Sequence, residues 1–180
     1  MACANTPTAA DEREGLTLEA FAARLRPRQR LMAADLGTKT IGVAVSDLER
    51  RIATPLITLR RAKFSKDAVW LISLMDQYDA AGLIVGLPLN MDGSEGPSAQ
   101  AARAFGRNFA PLSGRPYMFW DERLSTQAVT RSLIAQGASR AKRAEVVDRM
   151  AAAHILQGVL DRLRALRPAA QRGGEPASKG

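Results

Sequence analysis

Cysteine and histidine are almost missing from this chain, and their scarcity rules out several kinds of chemistry. The single cysteine, Cys3, has no partner for an internal disulfide, and a reducing compartment fits. One cysteine and one histidine, His154, are too few to build a zinc cluster. A bound metal would therefore be held by oxygen, which points to Mg²⁺ or Mn²⁺. No apolar run approaches the roughly 20 residues that cross a bilayer. The opening stretch, Met1 to Pro7, has neither a basic nor an apolar region of a leader peptide, so a cytoplasmic protein without membrane attachment is expected. Internal repeats are absent too, and 180 residues suffice for one domain with a real core.

What the chain does have is positive charge. Its formal net charge is +8 and its pI is near 10.5, a balance that favours polyanionic partners, nucleic acid first. The basic residues gather at Arg140, Lys142, Arg143 and Arg149, and again from Arg162 to Lys179. Basic charge alone is a weak signal, because a solvated helix face has the same composition.

The punctuation divides the chain into an N-terminal extension (1–29), a domain (30–167) and a tail (168–180) whose small, polar, Gly- and Pro-rich composition predicts disorder. Within the extension, Thr17 is a candidate cap for a short amphipathic helix through Leu18, Phe21, Ala22 and Leu25, stopped by Pro27. In the domain, Arg30–Asp35, Ile41–Asp47 and Thr54–Arg60 read as three consecutive strands. A helix over Ser65–Tyr78 is expected to present Val69, Ile72 and Met75 or Leu74 at helical spacing. Leu83–Leu87 is a continuous apolar run, as in a strand buried on both faces. After a loop dense in turn formers come a helix over Ser98–Phe109, a strand over Pro116–Trp120, a helix from Ser125 to Gly137, and a long helix over Ala144–Leu166. Such an order predicts an α/β mixed sheet with helices on both faces.

Carboxylates stand where this pattern would not place them by chance. Asp35 ends the first strand, just before a Gly-bracketed turn; a carboxylate there is costly unless paired or holding a cation. Asp121 and Glu122 end the strand after Trp120, at the strand edge where open α/β sheets carry their sites. Asp148 lies in the last helix, with the small residues Ala151 and Ala152 one turn on, so that face can approach the sheet closely. Each acid alone has a plain explanation as a turn former or a surface pair. Together they form the set required to hold divalent cations beside a phosphodiester. Such carboxylates repel one another without cations, whereas paired cations would activate a water and stabilise the leaving oxygen.

At this point the motifs resemble a known family, the YqgF/RuvX proteins, an RNase H-like group described as Holliday-junction resolvases and as pre-ribosomal RNA nucleases. Four blocks carry the resemblance: Asp35-Leu-Gly-Thr-Lys-Thr-Ile-Gly-Val-Ala-Val-Ser-Asp47, Ile84-Val-Gly-Leu-Pro-Leu-Asn-Met-Asp-Gly-Ser-Glu-Gly-Pro97, Asp121-Glu-Arg-Leu-Ser-Thr126, and Val147-Asp148 with Ala151-Ala152 and Ile155-Leu156-Gln157. The resemblance implies an RNase H-like domain with a five-stranded mixed sheet, its first three strands antiparallel. It implies a metal-dependent endonuclease using Mg²⁺ or Mn²⁺ in a two-metal site, with Asp35, Glu122 and Asp148 as catalytic metal ligands. Asp121 is the neighbour expected to point to the opposite face. Thr38, Lys39, Asn90, Ser94, Arg123, Arg140, Lys142 and Arg143 are candidates for nucleic-acid contact, the loop from Asn90 to Ser94 through its position before a helix N-terminus. His154, inside an Ala/Ile/Leu helix, reads as a packing residue.

The expected substrate is structured RNA, with the 5′ end of pre-16S rRNA foremost, and branched DNA is the alternative; the chain would act as a monomer or homodimer. Asp-Leu-Gly-Thr followed by a hairpin also resembles the first phosphate loop of actin-like ATPases, but those require two such domains, and 180 residues cannot supply both. A non-catalytic nucleic-acid binder or transcription accessory is the remaining alternative, and the complete acid trio argues against it.

Overall fold

The computed structural model describes residues 14–121 and 140–166, the side chains of 140–146 excepted. In chain order the elements are α1 (Leu18–Ala23), β1 (Arg30–Leu36), β2 (Thr40–Ser46), β3 (Ala53–Arg60), α2 (Phe64–Gln77), β4 (Ala80–Leu87), α3 (Pro97–Ser113), β5 (Tyr117–Asp121) and α4 (Arg140–Leu166). The expected helix from Ser125 to Gly137 and the tail after residue 167 lie outside the described residues. Among the described residues no helix is long and apolar enough to cross a membrane.

The strands form one five-stranded sheet in the order β3-β2-β1-β4-β5. β1, β2 and β3 run antiparallel to their neighbours, while β1 pairs β4 and β4 pairs β5 in parallel. β1 and β4 are inner strands covered on both faces, which is why they read as unbroken apolar runs instead of alternating. β3 is an edge strand, and none of its residues is fully buried. A left-handed Gly114 (φ 62°) ends α3, and Pro97 opens it. α3 runs four residues beyond the expected Phe109: Pro111 removes one amide in the last turn without stopping the helix, and Gly114 is the true stop.

Two apolar layers follow from the alternation along each strand. One lies between the sheet and α2 with α3, and includes Met32, Ala34, Val43, Leu83, Val85 and Tyr117. The other lies under α4 and includes Leu31, Ala33, Ala44, Ile84, Met118 and Trp120. α2 buries Ala68, Leu71 and Met75, not Val69, which is 68% exposed. The helical period was read correctly but its phase was off: the inward stripe runs 68-71-75, and Ile72 and Leu74 only flank it.

The described part of the extension, from Leu16 to Leu25, packs into this core. Thr17 caps α1, its hydroxyl accepting from the Ala20 amide, and Phe21 is fully buried. The Phe21 ring rests on Gly82 of β4, where a Cβ would come within 2.6 Å of it, so Gly82 provides the seat. The Leu16 amide donates to the Tyr117 carbonyl, fixing the arm to the start of β5.

Candidate active site

β1 alternates its side chains, Met32 and Ala34 toward α2 and α3, Leu31 and Ala33 toward α4. Asp35 follows the second series and so belongs to the α4 face. It is 8% exposed, one of few charged residues so deep in the described chain. Across the antiparallel ladder it opposes Gly42, and directly paired residues share a face.

Gly42 explains how the last helix reaches this point. A Cβ at Gly42 would stand 2.1 Å from the Asp148 carbonyl oxygen and 2.8 Å from the Arg149 amide nitrogen. The backbone of α4 therefore lies directly on β2 at Asp148, beside the strand position that Asp35 faces. Only glycine leaves room for that approach. One row further on, the Thr40 hydroxyl donates to Asp148 Oδ2 at 2.5 Å, which fixes the carboxylate against the sheet. Asp35 and Asp148, separated widely in sequence, thus lie on one face at one end of the sheet.

The remaining expected residues are placed as follows. Asp121 pairs with Leu87 and, with Tyr117 and Phe119, belongs by alternation to the α2–α3 face, away from Asp35. Glu122 and Arg123 lie outside the described residues. Among the described residues, no three His, Cys, Asp or Glu side chains gather closely enough to hold a metal. Arg140, Lys142 and Arg143 fall in the first turn of α4. Asn90 and Ser94 sit in the exposed loop that follows β4, at the same sheet end as Asp35, and bond each other: Asn90 Nδ2 donates to Ser94 Oγ at 2.8 Å, and Ser94 Oγ to Asp92 Oδ1 at 2.6 Å. The loop leads into α3 through Gly96, the residue capping that helix. His154 is half-buried within α4, and its Nε2 has no hydrogen-bond partner among the described residues.

Thr38 and Lys39 are exposed in the β1–β2 turn, where with Arg60, Arg61 and Ala62 they line a cleft of about 470 Å³. Sequence reasoning missed Thr40, Gly42, Arg60 and Arg61. The signal for Gly42 was present: an isolated glycine inside a buried strand, opposite the acid-bearing one, marks a close backbone approach. No comparable signal marked Arg60, which is one of many arginines until the pairing register is known.

The antiparallel meander, the two parallel strands added beside it and the acid at the end of β1 define an RNase H-like domain. The chain belongs to the RuvX family, described as Holliday junction resolvases, whose model matches residues 29–162. A protein of Methylocella silvestris, named "Putative pre-16S rRNA nuclease", is 70% identical over 79% of this chain and 88% of its own. A protein of Ruegeria pomeroyi with the same name is 55% identical over 83% of this chain and 97% of its own. Among solved structures, RuvC of T. thermophilus in complex with a Holliday junction substrate matches 77% of this chain and 99% of that chain at a TM-score of 0.49 and 14% identity.

Proposed function

We propose that this protein is a metal-dependent endonuclease that cuts a phosphodiester in structured nucleic acid, with the 5′ end of pre-16S rRNA as substrate. The observation that carries the reading is that Asp35 stands opposite Gly42, the same residue on which the α4 backbone rests at Asp148. Two carboxylates brought to one end of one sheet face oppose each other in charge without a cation. The relatives' name supports RNA as the substrate.

The donor set fits a hard cation. Oxygen ligands from two carboxylates suit Mg²⁺ or Mn²⁺. Asp35 and Asp148 would hold it, joined by Glu122, the acid that the family resemblance assigns as the third ligand. Once bound, the metal supplies charge neutralisation at the phosphate and a more acidic water. The chain's own part is placement. Burial of β1 restricts the Asp35 side chain, the Thr40 hydroxyl orients Asp148, and Gly42 sets the height of α4 above the sheet.

A four-way DNA junction is the second substrate, favoured by the family's description. The test is to incubate wild type and Asp35→Asn with a precursor 16S rRNA fragment and a four-way junction, in Mg²⁺ or Mn²⁺. Wild type should cut the RNA and Asp35→Asn, though folded, should cut neither. Cleavage undiminished in the variant, from a preparation free of contaminating nuclease, would sink the reading; cleavage of the junction alone would reassign the substrate.

A further inference from the structure

The cleft beside the acids is positively charged, and its residues divide by what else they do. Arg61 is committed to the fold. Its amide donates to the Lys39 carbonyl at 2.9 Å, and its guanidinium donates to the Gly37 carbonyl at 2.9 Å. On its other side its Nε stands 4.0 Å from Asp67, which is 1% exposed. Arg61 thereby joins the start of α2 to the turn that follows Asp35 and Leu36. Lys39 and Arg60 are different: both are exposed, and neither forms an ion pair or side-chain hydrogen bond with a described residue. Two cations lining one cleft without an ion pair among the described residues are poised for an anion from outside.

The strand register says where that anion would lie. Arg60 of β3 is paired with Thr40 of β2, so the two residues share a face, and Thr40 is the residue whose hydroxyl holds Asp148. Arg60 therefore stands on the acid-bearing face. It lies one pleat repeat, about 7 Å, further along the sheet than the Asp35–Gly42 row. Lys39 reaches the same cleft from the β1–β2 turn, and Thr38 adds a hydroxyl.

We propose that Lys39 and Arg60 bind a backbone phosphate of the nucleic-acid strand next to the one being cut, and so align the strand across Asp35 and Asp148. This rests on the endonuclease reading above and adds the route the strand takes. A fork of guanidinium donors and a flexible ammonium suit phosphate, and neither reads base sequence, so the contact positions the strand without selecting it.

The test measures binding in an Asp35→Asn background, so that the probe stays intact, by fluorescence anisotropy of a labelled stem–loop RNA across a salt series. Adding Lys39→Gln and Arg60→Gln should weaken binding about tenfold and flatten the slope of log affinity against log salt by roughly 0.7–0.9, the share of one lost phosphate contact. Lys39→Arg with Arg60→Lys should restore the slope, which a merely misfolded variant would not. Arg115→Gln, remote from the cleft and paired with Asp76, should leave the slope alone. An unchanged slope in the Lys39/Arg60 pair overturns the proposal, as does an equal change in Arg115→Gln, which would reduce the effect to bulk charge. A slope that falls as expected while Asp35→Asn still cuts would keep the phosphate contact and remove the endonuclease reading instead.

Discussion

At the start of β2 the Thr40 hydroxyl holds one oxygen of Asp148, and that contact sets what the carboxylate can do. A helix residue has rotamer freedom that a buried strand residue lacks, so Asp148 needs an external constraint where Asp35 does not. Thr40→Val keeps the shape of the side chain and removes the donor. It should lower cleavage by about 10- to 100-fold, the usual effect of losing a group that orients a ligand, with stability reduced by only about 1 kcal/mol. Single-turnover cleavage set beside a denaturant titration separates the two effects; a loss of activity no larger than the loss of folded protein would argue against an orienting role. The part of this site read from sequence was the acids themselves, because carboxylates in an apolar run contradict their surroundings. Thr40 was illegible for the opposite reason, since a threonine beginning a strand contradicts nothing.

The same contrast holds for whole elements. The order and type of the strands were readable, because the inner strands are apolar runs set off by turn-forming residues. The phase of α2 was not, since several apolar residues compete along it and only the packed neighbours choose 68-71-75. Close contact between α4 and β2 gives a sharp expectation. Gly42→Ala sets a methyl against backbone, which has no rotamer to yield, so the helix must lift. A destabilisation of about 1–3 kcal/mol is expected, with loss of cleavage in the fraction that remains folded; retention of full activity would mean the helix height is immaterial. The β2–β3 turn offers a pH readout. Partial burial pushes the Asp47 carboxyl up, but amides of Ile52 and Arg51, donating at 3.0 and 2.6 Å, outweigh it and its pKa falls below the usual 3.8. A lowered folded pKa stabilises the protein above the unfolded value, and that stability is lost as pH falls through the folded one. Asp47→Ala should therefore melt below wild type at neutral pH, with the gap closing under about pH 4. A gap that stays constant into acid would exclude the ionised carboxylate as its source.

On the scale of the molecule, the sheet gathers at one end groups drawn from β1, from the β1–β2 turn, from the end of β3 and from α4. No short fragment contains them all. The opposite end is closed by the N-terminal arm, which the sequence suggested was an extension and which packing makes part of the domain: its one decisive residue, Phe21, looks like any apolar position in a short helix until Gly82 is placed beneath it. Phe21→Ala should cost about 3–5 kcal/mol, measured by chemical denaturation; a cost under 1 kcal/mol would mean the arm rests loosely on the sheet. The docking of that arm also has a consequence for biosynthesis. Leu16 and Phe21 leave the ribosome before the surfaces that receive them, Gly82 and the Tyr117 carbonyl, are made. The arm must wait, uncovered, until β4 and β5 have followed it out, so its seating comes after the strands it rests on.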